Sequence, residues 1–241
     1  HRCAMLAVLT GKKVKIKNYS KGADCLSTLK IVEQLGADVE FLNEKDILIS
    51  APNFLRKSYF DFDCGNSGTT MRLLSGILAG QKFNSVLTGD DSLSKRPMKR
   101  IIAPLTQMGA DIKAVDGHAP LTIYGKSLHG IVYHAPISSA QVKSCVLLAG
   151  LNAEGNTTFI EPSQSRNHTE LMLKYLGADI ITYKNVFSLL PAVASYIYLF
   201  ILLSKDMKIV RKSTVVLRML WALYDFIVKA YTTFALDIFS F

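Results

Sequence analysis

Cysteine is scarce and scattered: Cys3, Cys25, Cys64 and Cys145 lie far apart, and no two form a C-x-x-C pair. That pattern excludes a disulfide framework and a thiolate zinc site, and it fits a reducing compartment. The five histidines have no metal-ligand spacing, and no Ser/His/Asp order stands out. Proline (7) and glycine (15) are at ordinary levels, which excludes collagen-like and proline-rich chains. Charged residues make up only 20% of the chain against 49% hydrophobic, and mean hydropathy is +0.24, so intrinsic disorder is excluded too. Acidic side chains are the minority charge, 19 against 28 basic, for a formal net charge of +9. The basic residues are spread out, in pairs such as Lys12-Lys13 and Arg211-Lys212, rather than clustered among aromatics. Nucleic acid is therefore the least expected partner, behind a solvated basic face and small anionic substrates. No secretory n-region, h-region or cleavage signature precedes the amphipathic pattern at 4–9, so the expected location is cytoplasmic. Because the sequence opens on His1 beside a helical pattern, it reads as a fragment.

What the chain does have is a repeat. Leu35-Gly36-Ala37-Asp38-Val39, Met108-Gly109-Ala110-Asp111-Ile112 and Leu176-Gly177-Ala178-Asp179-Ile180 share one pattern, at intervals of about 70 residues. Each copy follows a helical run of apolar residues, as in Leu26, Leu29, Ile31, Val32 and Leu35, and precedes an alternating, strand-like run. The glycine falls where a helix ends in a left-handed residue, which glycine adopts without a Cβ clash. Helices at 67–79 and 140–151 then lead into strands at 85–88 and 157–160. The expected fold class is α/β, built from repeated helix-strand-helix-strand-strand units. Three such units would share a core, because one alone cannot bury its apolar face.

Four polar segments open helices. Asp63-Cys64-Gly65-Asn66-Ser67-Gly68-Thr69-Thr70-Met71-Arg72 places glycines and hydroxyls before an apolar-periodic run, aiming backbone N–H groups at one spot where a helix dipole favours an anion. Ser67 or Thr69 is also a ready N-cap. It is not a Walker A loop, because no Gly-Lys-Ser/Thr follows at the required spacing. In Leu93-Ser94-Lys95-Arg96-Pro97-Met98, Pro97 falls at a helix's first turn, where the cations Lys95 and Arg96 are explained by a bound anion. Ser138-Ser139-Ala140-Gln141-Val142-Lys143-Ser144 and Glu161-Pro162-Ser163-Gln164-Ser165-Arg166-Asn167-His168-Thr169-Glu170 open two more helices. The spacing of Lys143 from Gln141 turns it away from the others. Anion recognition at converging helix ends accounts for all four segments together.

Gly65-Asn66-Ser67-Gly68-Thr69-Thr70-Met71-Arg72, Leu93-Ser94-Lys95-Arg96-Pro97-Met98, Ser139-Ala140-Gln141-Val142-Lys143-Ser144 and Ser165-Arg166-Asn167-His168-Thr169-Glu170, in that order, resemble the 3-phosphoshikimate 1-carboxyvinyltransferase (5-enolpyruvylshikimate-3-phosphate synthase) family. The likeness runs from His1 to about Lys184, with Asn167 where the family usually has Asp. The resemblance implies an inverse α/β barrel domain, no cofactor, no metal, and two substrates, shikimate 3-phosphate and phosphoenolpyruvate. The enolpyruvyl group would pass to the 5-hydroxyl of the acceptor, with release of phosphate. Both substrates are polyanions, in keeping with arginine-rich helix ends. Carried over by motif, Arg2 would face the shikimate carboxylate. Gly68, Arg96 and Gln141 would face the phosphate of phosphoenolpyruvate. Ser139, the backbone of Ala140 and Arg166 would hold the phosphate of shikimate 3-phosphate, and Asn66, Thr69 and Arg72 would shape the loop. The sister family acting on UDP-N-acetylglucosamine shares the repeats but not these motif spellings. It stands as the alternative, with a non-catalytic or membrane-attached remnant.

The resemblance also sets limits. The family's Lys-Ser pair ahead of Arg2 is absent from this sequence. Val193 stands where the family has an acid in its Pro-Gly-Asp-x-Ser-Ser segment. The expected organisation is a substrate-binding domain over 1–185 and a divergent apolar stretch over 186–241, the start of a further unit. Residues 186–203 carry no charge, but Pro191, Ser188, Ser195 and two tyrosines speak against a membrane span. A full-length protein of this kind is expected to be a monomer. These 241 residues are expected to bind shikimate 3-phosphate weakly and to release no phosphate alone.

Overall fold

The computed structural model describes residues 1–182. The chain divides into two units, His1–Ile180 and Ile181–Phe241, and only Ile181 and Thr182 of the second are described. The expected boundary at 185/186, the apolar run at 186–203 and Val193 all lie outside the described residues.

His1–Ile180 passes three times through one pattern. The first pass is α1 (Arg2–Leu9), β1 (Lys13–Ile16), α2 (Ala23–Gln34), β2 (Asp38–Phe41) and β3 (Ile47–Ser50). The second is β4 (Phe62–Asp63), α3 (Gly68–Ala79), β5 (Ser85–Thr88), the single turn α4 (Asp91–Ser94), α5 (Lys99–Gln107), β6 (Asp111–Val115) and β7 (His118–Tyr124). The third is β8 (Leu128–His129), β9 (Val132–His134), α6 (Ala140–Gly150), β10 (Ala153–Glu154), β11 (Thr158–Ile160) and α7 (His168–Tyr175). Two details differ from expectation. Of the run 180–183 expected as a strand, residues 180–182 pair with no strand among the described residues, and Tyr183 lies outside them. Pro97 lies just outside α5, whose N-cap is Met98.

Sheet order repeats with the chain. The first sheet runs β1-β3-β2, all antiparallel, and the second runs β4-β5-β7-β6 with β5-β7-β6 in the equivalent places. β4 adds a strand parallel to β5 across α3, and β9 pairs in parallel with β11 across α6 in the same way. Parallel neighbours need a crossover, and these two helices supply it. The three recurrent glycines carry the left-handed backbone their position demands, with φ of 100° at Gly36, 93° at Gly109 and 92° at Gly177. The closing bonds match as well: Ala37 N–H reaches the Val32 carbonyl, Ala110 the Leu105 carbonyl and Ala178 the Leu173 carbonyl.

Each sheet buries one face, as the alternation in β3, β5 and β7 records. The main core gathers around α3, where Met71, Leu73, Leu74, Ile77 and Leu78 are wholly buried. A helix apolar on most sides must be enclosed, and α6 closes it. Gly76 makes this close approach possible, since a Cβ there would sit 2.2 Å from the carbonyl oxygen of Cys145. A second cluster beneath α1 and α2 joins Ala4, Val8, Leu29, Val32, Ile47 and Ile49.

Candidate functional site

The packing of α3 on α6 sets their first turns side by side. Ser67 caps α3 by accepting from the Thr70 N–H, and Ser139 caps α6 by accepting from the Val142 N–H at 3.4 Å. These caps hold Gly68-Thr69 and Ala140-Gln141 in first turns, whose backbone N–H groups have no partner within their own helix. Side chains then tie the turns together. Gln141 Nε2 donates to Thr69 Oγ1 at 2.9 Å, and Gln141 Oε1 accepts from Arg72 Nη1. Arg2, the first residue of α1, donates through Nε to Thr169 Oγ1 in α7 at 2.8 Å and through Nη2 to Ser144 Oγ in α6 at 3.2 Å. The N-terminal ends of α1, α3, α6 and α7 therefore meet, and each is an electropositive end.

Two arginine centres lie at this junction. In the first, Arg72 and Arg96 rest on Gly68: a Cβ there would lie 3.2 Å from Arg72 Nη1 and 3.4 Å from Arg96 Nη1. Arg96 reaches it from the loop after α4 and donates through Nη2 to Asn66 Oδ1. Asn66 Nδ2 in turn donates to both carboxylate oxygens of Asp90, at 3.0 and 2.8 Å. Asp90 also caps α4 by accepting from the Leu93 N–H at 2.7 Å. The Asn66 bond foremost, then the Leu93 N–H, hold the Asp90 carboxyl below its ordinary pKa. Asn66 thus occupies the carboxylate that would otherwise neutralise Arg96. Burial first, then the charges of Arg96 and Arg100, lower the Arg72 pKa. A negative charge placed beside Arg72 would act in the opposite direction. In the second centre, burial and then the Arg166 charge lower the Arg2 pKa, against a smaller opposing effect of Glu170. Among the described residues, none of Arg2, Arg72, Arg96 and Arg166 forms an ion pair with a carboxylate.

The expected residues sort accordingly. Asn66, Gly68, Thr69, Arg72, Arg96 and Gln141 come together in the first centre, and Arg2 and Arg166 form the second. Ser139 and Ala140 open α6, which touches both: Gln141 belongs to the first centre, and Ser144 bonds Arg2 of the second. Arg166 is exposed, just ahead of α7. Lys143 does point away from Gln141, but into the protein: it is 6% exposed and lies 2.8 Å from both Glu161 Oε1 and Glu170 Oε1. Sequence reasoning missed Asp90 and this buried triad. Asp90 had a signal, an aspartate three residues ahead of apolar Leu93 at the mouth of a turn. The triad had none, since its carboxylates come from a later segment. Among the described residues, no cluster of His, Cys, Asp and Glu is placed to hold a metal ion, and no helix is long and apolar enough to cross a membrane.

The family model of EPSP synthase (3-phosphoshikimate 1-carboxyvinyltransferase) matches residues 1–196. The chain is 52% identical over 181 residues to the 3-phosphoshikimate 1-carboxyvinyltransferase of Koribacter versatilis (strain Ellin345), covering 75% of this chain and 42% of the relative. It is 50% identical over 195 residues to that of Thermodesulfovibrio yellowstonii, covering 79% and 45%. Among solved structures, EPSP synthase from Acinetobacter baumannii superposes with a TM-score of 0.74 at 44% identity, over 77% of this chain and 43% of that one. The chain thus spans less than half the length of these relatives. The family model spans the residues that build both arginine centres, and the chain belongs to the EPSP synthase family.

Proposed function

We propose that this chain is the substrate-holding part of a 3-phosphoshikimate 1-carboxyvinyltransferase, with residues 1–185 as its binding domain. The observation that carries the reading is the pair of arginine centres, free of described carboxylate partners, at converging helix N-termini. In this reading Arg72, Arg96, Gln141 and the side-chain-free face of Gly68, whose N–H donates to the Asn66 carbonyl oxygen, receive the phosphate of phosphoenolpyruvate, with Asn66 and Thr69 fixing the loop. Arg166, Ser139 and the Ala140 N–H receive the phosphate of shikimate 3-phosphate, and Arg2 takes its carboxylate. Fixed donors cost no reorganisation when charge develops, which is how such a site contributes to rate.

The reaction is addition followed by elimination. The acceptor's 5-hydroxyl oxygen bonds to C2 of phosphoenolpyruvate, its proton leaves to a base, and C3 gains a proton. Loss of inorganic phosphate from C2 and of a proton from C3 then restores the double bond. Proton transfers need a group within hydrogen-bond reach, and no described residue is assigned to them. The part proposed for this chain is to hold and orient the anions, without a cofactor, in a cytoplasmic monomer.

Isothermal titration of the full chain with shikimate 3-phosphate tests the reading. Saturable heat that the Arg166→Ala variant loses is the expected result. A folded sample that gives no heat at millimolar ligand would sink it.

A further inference from the structure

Buried charge behind the second arginine centre has a geometry that simple stability does not require. Lys143 Nζ lies 2.8 Å from Glu161 Oε1, 2.8 Å from Glu170 Oε1 and 3.4 Å from the Ser165 carbonyl oxygen. Glu161 Oε1 also accepts from the Ser165 N–H at 2.9 Å. Both polar groups of the Ser165 backbone are therefore pinned by the triad, and the next residue is Arg166. The segment from Glu161 to Asn167 has no helix or strand of its own. Its other anchor is Ser138, which exchanges hydrogen bonds with Ser163 at 2.6 to 2.9 Å. Glu170 follows Thr169, the residue that receives Arg2 Nε at 2.8 Å, and the Glu170 charge acts on Arg2. The second oxygens of Glu161 and Glu170 are buried without a hydrogen-bond partner in the structure. Two carboxylates against one lysine leave a surplus negative charge beside two arginines.

We propose that Lys143 is a positioning residue for the second arginine centre: it pins the Ser165 peptide that sets Arg166, and it engages the Glu170 carboxylate that would otherwise pair with Arg2. The inference rests on the reading of that centre as the phosphate and carboxylate site of shikimate 3-phosphate. A buried carboxylate stripped of its partner seeks the nearest cation. The Glu170 charge already acts on Arg2, and an arginine held by an internal carboxylate is lost to the ligand. Burial works against the charge on Lys143, but its hydrogen bonds to Glu161 and Glu170 outweigh this and raise its pKa, so the ammonium stays charged.

The test measures affinities for shikimate 3-phosphate and for phosphoenolpyruvate separately on the full chain, together with amide hydrogen exchange. Lys143→Met is expected to weaken shikimate 3-phosphate by roughly tenfold or more and to leave phosphoenolpyruvate unchanged. Exchange should rise at 161–170 alone, and Lys143→Arg should recover most of the affinity. Glu161→Gln, a milder change should Lys143→Met not fold, is expected to show the same selectivity at smaller size. Unchanged shikimate 3-phosphate affinity in either variant overturns the proposal, as does a loss shared equally by both ligands. If the unaltered chain binds no shikimate 3-phosphate, the proposed function fails instead. Exchange then decides the anchoring: a rise confined to 161–170 upholds it, and an unchanged profile overturns it.

Discussion

At Gly68 a single methyl group decides where two guanidinium groups can rest. A Cβ would press on the flexible ends of Arg72 and Arg96 rather than on backbone, so Gly68→Ala should fold with little penalty. The displaced donors should instead weaken phosphoenolpyruvate by about 1 kcal/mol, roughly fivefold, while shikimate 3-phosphate binding holds. Titration with each ligand checks this, and equal losses would show that the glycine serves the fold rather than the anion. Glu161 makes a second prediction through its pKa. Burial alone would raise it, but the hydrogen bonds from Lys143 and Ser165 prevail and hold it below the ordinary glutamate value. A depressed folded-state pKa means the contribution to stability is complete above the ordinary value and is lost as pH falls through the folded one. Urea midpoints taken from about pH 7 down to about pH 3 should therefore fall, and in Glu161→Gln they should start lower and fall less. The cap residue Ser67 was legible in the sequence, where it stood with Thr69 as the candidate, because capping is settled within three residues. The partners of Lys143 were not, because which carboxylates reach it depends on where a later loop returns.

Helix ends were the most legible elements, and the three Leu-Gly-Ala-Asp copies show why. A left-handed glycine closing a helix is a local event, and Gly36, Gly109 and Gly177 all obey it. Strands depend on neighbours, so residues 180–182 could carry a strand pattern and still pair with no described strand. Contacts between units were equally hidden. The sequence located Arg72 and Gln141 on helix starts, but their bond exists only because α3 lies against α6. That packing invites a direct test. In Gly76→Ala the new Cβ meets backbone, the Cys145 carbonyl at 2.2 Å, and backbone cannot rotate aside. The variant should lose about 1–3 kcal/mol of stability, read as a lower urea midpoint. An unchanged midpoint would mean the two helices can part without cost.

On the scale of the whole molecule, charge balance ranked small anionic substrates behind a solvated basic surface and gave no place for either. The chain's net charge of +9 is spread over its length, whereas the centres that matter gather residues from Arg2 to Arg166 at one end of several helices. The four motifs made those helix ends recognisable and, through the resemblance, already sorted them into two groups; the fold shows which side chains bond one another there. Screening separates long-range attraction from direct contact. The Debye length shrinks from about 10 Å at 0.1 M salt to about 3 Å at 1 M. Shikimate 3-phosphate affinity should fall several-fold across that range and then level off, because Arg2 is half shielded from solvent. Affinity indifferent to salt would point to recognition through neutral groups.

The seat of Gly76 against Cys145 reaches further than packing. Gly76 lies about two turns into α3 and Cys145 about one and a half turns into α6, and their contact makes the two helices a single stiff fork. Arg72 rides on one prong, and the other prong carries the Ser144 hydroxyl that steadies Arg2. On the proposed function, the gap between the two anion seats would thereby be gauged by a contact outside both. Such a fork selects by the distance between charges as well as by their number. A molecule with the right two anionic groups on too short or too long a frame would satisfy one seat and leave the other empty.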